Sequence, residues 1–191
     1  MKLNLGCGDK KMEGYVNVDN DPRVQPDVLL DLEKDKWIWE NDSVDEIVAH
    51  HILEHLGDGY FHFLQEMYRV GKDGAIIHVL VPHPRHDVFL NDPTHKRPIT
   101  VEGLTMFNKS INRGWIASGD HSSKLGLLYD VNFELIDVKY AFDPFYREEV
   151  EAQPEDKRDA YLGRLARERN NVIIELFITL MVVKNEDIGN E

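Results

Sequence analysis

The chain has 191 residues, of which 42% are apolar and 30% charged, with a formal net charge of -13 at pH 7. This length and composition predict one globular domain, residues 1–191, and not a disordered chain. The acidity disfavours duplex nucleic acid as a partner, because proteins bind duplexes largely by neutralising phosphates with Lys and Arg. No run of about 18 apolar residues is present, so no membrane span is predicted.

Cys7 is the only cysteine, so no internal disulfide can form and an oxidising compartment is not required. The N-terminus enters an apolar segment without the charged and then apolar pattern of a secretory signal. These two features lead us to expect a cytoplasmic location. The sequence carries no signal of the oligomeric state.

The first half of the chain alternates short apolar runs with turns. Strands are predicted at Lys2–Leu5, Tyr15–Val18, Val28–Leu30, Val44–Ala49 and Ala75–Val81. A helix is predicted before the last of these, because Tyr60, Phe63, Leu64, Met67 and Tyr68 recur at spacings of three and four, and Gly71 can cap its end. Since Ala75–Val81 is apolar except for His78, we expect a central strand covered on both faces.

The second half begins with a long insertion, at about residues 82–123, that we expect to form a lid. Proline and polar residues dominate this segment, and insertions of this length at a strand end are usually functional. Beyond it we predict a helical turn at Leu125–Tyr129, a strand at Phe133–Tyr140, a helix starting at Pro154, a last strand at Asn171–Lys184 and a frayed end at Asn185–Glu191. The two late strands can pair as a hairpin at a sheet edge.

The opening of the chain has the pattern of a nucleoside-binding crevice. Gly6 and Gly8 end the first apolar run, and Asp19 ends the second. Glycines allow a ligand to approach the backbone, and an acid at a strand end can bind a ribose. The acid follows Gly8 by only eleven residues, with room for at most a turn or two of helix at Lys10–Glu13. A dinucleotide site has about twenty residues and a third glycine there, so a nucleoside without phosphates is predicted.

Several segments together resemble the class I S-adenosylmethionine-dependent methyltransferases. The matching segments are Leu3–Gly8 (LNLGCG), Gly14–Asp19 (GYVNVD), Asp31–Leu32, Ser43–Val48 (SVDEIV) and His51–Leu56 (HILEHL). The short loop after Gly8 is similar to a compact bacterial and phage type. By this resemblance the cofactor would be S-adenosyl-L-methionine, bound by Gly6, Cys7 and Gly8 at its methionine part, Asp19 at the ribose, Asp31 and Leu32 at the adenine, and His50 beside it.

The insertion carries two groups of polar residues, His83–Asp87 (HPRHD) and Asn91–Arg97 (NDPTHKR). Similar small methyltransferases carry an Asp-Pro-Thr-His segment here. His83 and His95 are therefore our candidate catalytic residues, which would take a proton from the acceptor or orient it. Two other interpretations stay open: these residues only fold the lid by hydrogen bonding, or they bind a metal. The insertion lacks a recognised zinc spacing, so no metal ligand is assigned.

We therefore predict an α/β domain with a Rossmann-like, doubly wound, mostly parallel seven-stranded sheet and an antiparallel edge strand. The predicted function is methyl transfer from S-adenosyl-L-methionine to an acceptor N, O or C atom. The acceptor would be a small molecule, a sugar or a protein side chain in preference to duplex nucleic acid. The alternatives are a nicotinamide-dependent oxidoreductase, a non-catalytic nucleoside-binding module of the same fold and, third, a metal-dependent hydrolase.

Overall fold

A computed structural model describes residues 1–185 and contains one seven-stranded sheet. The strands are β1 Lys2–Leu5, β2 Val16–Asp19, β3 Val28–Leu29, β4 Val44–His50, β5 Gly71–Pro82, β6 Phe133–Phe142 and β7 Ile173–Val182. Their order across the sheet is β3-β2-β1-β4-β5-β7-β6; the first five pair in parallel, and β7 runs antiparallel between β5 and β6. The predicted α/β sheet, mostly parallel with an antiparallel edge pair, is confirmed.

The α-helices lie between β4 and β7 in the chain. They are α1 Tyr60–Val70, α2 Asp87–Asn91, α3 Val101–Thr105, α4 Lys109–Ser118, α5 Leu125–Leu128, α6 Arg147–Glu151 and α7 Arg158–Glu168. Helix α1 matches its prediction: the apolar side chains bury one face, and the Gly71 N–H donates to the Met67 carbonyl at its end. The helix predicted to begin at Pro154 instead begins at Arg158, because Pro154 is extended and only a short 3-10 turn follows it.

The two faces of the sheet differ in how well they are covered. On β5, Ile77, Val79 and Val81 are buried in the same cluster as the apolar face of α1. The alternate residues of β5 are only half-buried, and Phe177 on neighbouring β7 is 41% exposed. The expected cover on both faces of β5 is therefore not observed among the described residues. The physical reason is that, within residues 1–185, no α-helix occupies the connections that join β1 to β4.

Buried asparagines explain why the segment after β1 is a loop without the short helix expected at Lys10–Glu13. Asn4 Nδ2 donates to the Lys10 carbonyl at 3.0 Å, and Asn17 Oδ1 accepts from the Met12 N–H at 2.8 Å. These side chains satisfy backbone groups that a helix would pair internally. The loop is thereby fixed to the strands that flank it.

Two further observations concern the ends and surface of the described chain. No helix within residues 1–185 combines the length and apolar character of a membrane-spanning segment. Of the end predicted to be frayed, Asn185–Glu191, only Asn185 falls among the described residues, and its side chain donates to Asp73 at 2.8 Å.

Candidate active site

A cleft of about 220 Å³ lies where β1, β2 and β4 end. Because these strands are parallel, their carboxyl ends meet at one edge of the sheet, where α/β proteins bind ligands. Four of the residues predicted to bind the cofactor line it together: Gly6, Asp19, Asp31 and Leu32. We call this space, with Glu33, Ile52 and Leu56 also in its lining, the acidic cleft.

Backbone geometry at Gly6 and Gly8 shapes one wall of the acidic cleft. Both glycines have positive φ, at 63° and 48°, a region that other residues rarely adopt. A Cβ at Gly6 would lie only 2.7 Å from Ile52 Cδ1. The Gly8 N–H donates to Asp19 Oδ2 at 2.8 Å, and the Asp21 N–H donates to Asp19 Oδ1 at 2.9 Å. The Asp19 carboxylate is thus held in place with a free lone pair on each oxygen.

Cys7 packs beneath this loop and is buried. Its N–H donates to the Val18 carbonyl at 3.0 Å. Burial, together with the nearby Asp19 carboxylate, raises the pKa of the Cys7 thiol. A thiol that keeps its proton is a poor nucleophile. Cys7 therefore supports the loop structurally, and neither Cys7 nor Gly8 is part of the cleft lining.

His50 and His51 take different positions at the end of β4. His50 is the last residue of the strand, exposed and outside the lining of the acidic cleft. His51 follows with a φ of 52° and does line the cleft. Positive φ at a residue other than glycine is a strain found often at functional sites. Sequence reasoning missed His51, although its place directly after an apolar strand was a usable signal.

The loop that follows β3 forms the other wall of the acidic cleft. Lys34 Nζ donates to Asp31 Oδ2 at 2.7 Å, and this bond lowers the pKa of Asp31. Glu33 Oε1 accepts from the Gly57 N–H at 2.6 Å. A Cβ at Gly59 would lie 2.4 Å from the Glu33 carbonyl oxygen, so only glycine fits there. Neither Glu33 nor Gly59 stands out in the sequence, because their contact joins two distant loops.

The charge of the acidic cleft limits what can bind. Three carboxylates line it, from Asp19, Asp31 and Glu33, and none of the lining residues is Lys or Arg. Among residues 1–185, the first α-helix after Gly8 is α1. The loop after Gly8 therefore offers no helix N-terminus for a pyrophosphate. A nucleoside with positive charge fits this lining, and a nucleoside diphosphate does not.

A second space, of about 530 Å³, lies between α7 and the strands β6 and β7, next to the end of β5. We call it the large cavity. Its walls are mostly apolar and aromatic, for example at Tyr140, Phe142 and Leu162, and they include a few polar side chains, such as those of His83 and Arg167. His83 Nδ1 accepts from the Arg85 N–H at 3.1 Å. Burial, followed by the Arg85 charge, lowers the pKa of His83. The neutral ring therefore carries its proton on Nε2 and can donate from that atom.

His95 lies apart from His83 and lines neither space. Its ring meets the ring of His55, a lining residue of the acidic cleft, with 4.7 Å between centroids, and stacks on Phe89 at 5.3 Å. His95 Nδ1 donates to the Phe89 carbonyl at 2.8 Å, which leaves the lone pair on Nε2. The structure thus places the two candidate catalytic histidines at different sites, one in the large cavity and one behind the acidic cleft.

The comparisons with known proteins bear on the fold. No protein-family model matches the chain, and no curated protein matches it either. Solved structures do match. A S-adenosylmethionine-dependent methyltransferase from Archaeoglobus fulgidus is 18% identical, with a TM-score of 0.55 over 94% of this chain and 85% of that one.

Two more solved structures match to a similar degree. A Burkholderia thailandensis 1,6-didemethyltoxoflavin-N1-methyltransferase, with 1,6-didemethyltoxoflavin and S-adenosylhomocysteine bound, is 12% identical with a TM-score of 0.51, over 96% of this chain and 71% of that one. The cyclase SpnF is 15% identical with a TM-score of 0.53, over 96% of this chain and 75% of that one. A cyclase among these neighbours illustrates that this fold does not fix one reaction. The chain has the fold of the S-adenosylmethionine-dependent methyltransferases.

Proposed function

We propose that the protein transfers a methyl group from S-adenosyl-L-methionine to a small-molecule acceptor. The observation that carries this proposal is the acidic cleft: it lies at the ligand-binding edge of this fold, and its lining holds carboxylates and no basic residue. The cofactor is a phosphate-free nucleoside whose sulfonium, ammonium and carboxylate groups leave it with a net positive charge, and that net charge suits such a lining.

Each part of the cofactor has a counterpart among the described residues. Asp19, oriented by two backbone N–H groups, would accept from the ribose hydroxyls. The glycine loop of Gly6 and Gly8, supported by buried Cys7, would pass along the methionine part. Asp31 and Leu32 would contact the adenine, and His50 would lie beside the cofactor at the end of β4.

The acceptor would occupy the large cavity. Its volume of about 530 Å³ is in the usual range for small-molecule sites, which combine apolar walls with a few polar groups. Enclosure by α7 favours a small molecule over a sugar chain or a protein side chain, and the net charge of -13 disfavours duplex nucleic acid. The small-molecule methyltransferase from Burkholderia supports this class by analogy of fold alone.

The bound cofactor supplies a methyl group on a good leaving group. An acceptor lone pair would form the new bond to that carbon while the carbon–sulfur bond breaks and leaves its electron pair on sulfur. Catalysis by the protein then consists of alignment and of removal of a proton from the acceptor where there is one. His83 can orient an acceptor by donating from Nε2. His95 keeps a lone pair on Nε2, which can take up a proton or coordinate a cation.

The two other functions make different demands on the acidic cleft. A nicotinamide-dependent oxidoreductase has to bind a diphosphate, which the carboxylates repel and for which no basic residue lines the cleft. A non-catalytic nucleoside-binding module would use the same cleft and leave the large cavity without a role.

Calorimetry with S-adenosylhomocysteine tests the cofactor site. We expect the wild-type protein to bind it, and Asp19→Ala to lose about 1 to 3 kcal/mol of binding free energy, the usual contribution of hydrogen bonds to a charged group. Asp21→Ala is the matched control, since that carboxylate pairs with Arg23 instead. Unchanged affinity in Asp19→Ala would remove this residue from the ribose, and binding of nicotinamide dinucleotide alone would establish the oxidoreductase.

Turnover is tested separately with cofactor that carries an isotopically labelled methyl group. The protein is incubated with fractionated small-molecule extracts, and mass spectrometry identifies any compound that gains the label. We expect a labelled small molecule. Tight binding of the cofactor with no labelled product across small molecules, sugars and peptides would support the non-catalytic module.

A further inference from the structure

Glu54 is a buried carboxylate with an unused oxygen. The residue lies in a short 3-10 turn, Leu53–His55, that follows β4, and it is 0% exposed. Its Oε1 lies 3.3 Å from His51 Nδ1. Its Oε2 has no hydrogen-bond partner within the described part of the chain. A buried charge without a partner is strongly unfavourable, so a cation bound at Oε2 would stabilise the folded chain.

Within residues 1–185, no positively charged side chain donates a hydrogen bond to this oxygen, and Arg97 Nε is itself buried without a partner. His51 is shared, because its other ring nitrogen lies 3.3 Å from Glu175 Oε1; even when protonated, it balances one of two carboxylates. The Arg97 guanidinium lies over the Tyr60 ring, 4.3 Å from the centroid. The Arg97 and Lys96 backbone N–H groups donate to the Glu54 carbonyl, which holds the insertion against this turn without touching the carboxylate.

Two histidines complete a set of metal ligands around Glu54. Glu54, His55 and His95 each offer one donor atom, and the three atoms lie within 4.8 Å of one another. Residues 1–185 contain no other such group of three, although the chain has 35 acidic residues and nine histidines. In a tetrahedral zinc site the donors lie about 3.4 Å apart, given bonds of about 2.1 Å. Rotations of the side chains can close the difference of at most about 1.4 Å between these two donor–donor distances.

The hydrogen bonds to both imidazole rings prepare them for coordination. The Phe89 carbonyl can only accept, so His95 Nδ1 carries the proton and Nε2 keeps its lone pair. Thr94 Oγ1 donates to Asp92 Oδ1 at 2.6 Å and lies 3.0 Å from His55 Nδ1. The threonine must therefore accept from His55, whose lone pair is then also on Nε2. Outer partners of this kind fix the tautomers of metal-binding histidines.

We propose that Glu54, His55 and His95 form a binding site for one divalent transition-metal ion. Two imidazoles and a carboxylate are the protein ligands of open zinc sites, which leave a position for water or substrate. Asp92, with Oδ2 3.8 Å from His95 Nε2, stands at the rim as a further oxygen donor. Imidazole ligands select zinc or a similar ion over magnesium.

This site gives a role to three of the four residues of the Asp92-Pro-Thr-His95 segment of the insertion. Asp92 orients Thr94, Thr94 orients His55, and His95 is itself a ligand. Since His55 also lines the acidic cleft, the ion would lie at its wall. Coordination uses the Nε2 lone pair of His95, so a metal there excludes His95 as the base for the acceptor proton.

The test is metal uptake by the full chain, without a histidine tag and stripped with a chelator. Zinc is titrated by calorimetry, and bound metal is counted by elemental analysis. We expect one zinc ion per chain, and no displacement by millimolar magnesium. Cobalt in place of zinc should give visible absorption bands, which report coordination by the protein independently of any enzymatic activity.

Variants locate the ion. We expect Glu54→Gln, His55→Gln and His95→Gln each to weaken zinc binding by about 100-fold or more. With so few protein ligands, each one contributes a large share of the free energy of zinc binding. His86→Gln is the matched control: His86 is also a buried histidine of the insertion, but it pairs with Asp143. His55 and His95 are only partly buried, so their variants test the site if Glu54→Gln does not fold.

The outcomes separate this proposal from the proposed function. No stoichiometric uptake, or uptake that all three variants retain, would overturn the metal site. S-adenosylhomocysteine binding is measured on the same metal-free samples. If that ligand binds and zinc does not, only the metal site fails; if zinc binds and the nucleoside does not, only the methyltransferase assignment fails.

Discussion

The acidic cleft and the large cavity lie along the same edge of the sheet but are built differently. The cleft takes its lining from residues 6 to 56, in three short loops that follow β1, β2 and β3 and the turn that follows β4. The large cavity joins residues from five separated segments between His83 and Leu176. The first is held by backbone geometry and short polar contacts, and the second by the packing of α7 onto late strands.

The two spaces also differ in charge. The acidic cleft has carboxylates and no basic residue in its lining, whereas both acidic and basic side chains lie among the apolar walls of the cavity. This difference is what a methyltransferase requires: one site for a cofactor of fixed shape and charge, and one for an acceptor that varies between enzymes. Changes in one space should therefore leave the other unaffected, and variants can test that independence.

The largest effect is expected from Gly6→Val in the acidic cleft. The variant combines a φ of 63° with a Cβ only 2.7 Å from Ile52, so strain and overpacking should together lower the free energy of unfolding by about 2 to 5 kcal/mol. We expect binding of S-adenosylhomocysteine to become undetectable by calorimetry. Urea denaturation gives the stability.

Gly74→Val is the control for Gly6→Val. Gly74 also has positive φ, at 79°, but a Cβ there meets nothing within 4 Å. The Gly74→Val variant should lose about 1 to 2 kcal/mol of the free energy of unfolding from strain alone and should bind S-adenosylhomocysteine normally. Equal losses of binding in both variants would mean that global destabilisation, and not the cleft, explains the effect.

A smaller effect is expected from Leu162→Trp, which fills the large cavity from α7. Once an acceptor is known, its kcat/KM should fall by about 10-fold because the larger ring takes its space, while S-adenosylhomocysteine affinity stays the same. Glu168→Trp, at an exposed position of the same helix, should change neither. A parallel fall in cofactor affinity for Leu162→Trp would show that the two spaces are coupled.

The smallest effect is expected for His83→Asn. The asparagine oxygen can still accept from the Arg85 N–H, but the Nε2 donor is lost, so kcat/KM should fall by about 2- to 10-fold. Because burial lowers the pKa of His83, the wild-type ring takes up a proton only below its usual pKa of about 6.5. The protonated ring can no longer accept from the Arg85 N–H, which orients it, so kcat/KM should be flat above that pH and decline below it.

The pH profile of His83→Asn is the discriminating measurement. Without an ionisable side chain at this position, we expect the decline at low pH to disappear. A profile that keeps the same decline would assign it to another group and would make the role of His83 structural.

Much of the fold followed from patterns within single segments. Apolar runs marked the strands, and the three- and four-residue spacing of Phe63, Leu64 and Met67 marked α1. Two of the predictions about the fold were wrong, each for a physical reason. Asn4 and Asn17 hydrogen-bond to the backbone of the segment that was expected to form a short helix. Both faces of β5 were expected to be buried, but among residues 1–185 no α-helix covers one of them, so buried and half-buried residues alternate along this strand.

The sequence by itself determined the strands and the crevice of Gly6, Gly8 and Asp19, because the carboxyl ends of adjacent parallel strands meet at one edge of the sheet. Only the tertiary structure decided the rest of the site. It separated His83 from His95, added His51 and Glu33 to the acidic cleft, and brought Glu54 and His55 against His95, some 40 residues apart in the chain. Such contacts depend on how the insertion packs, which no local pattern encodes.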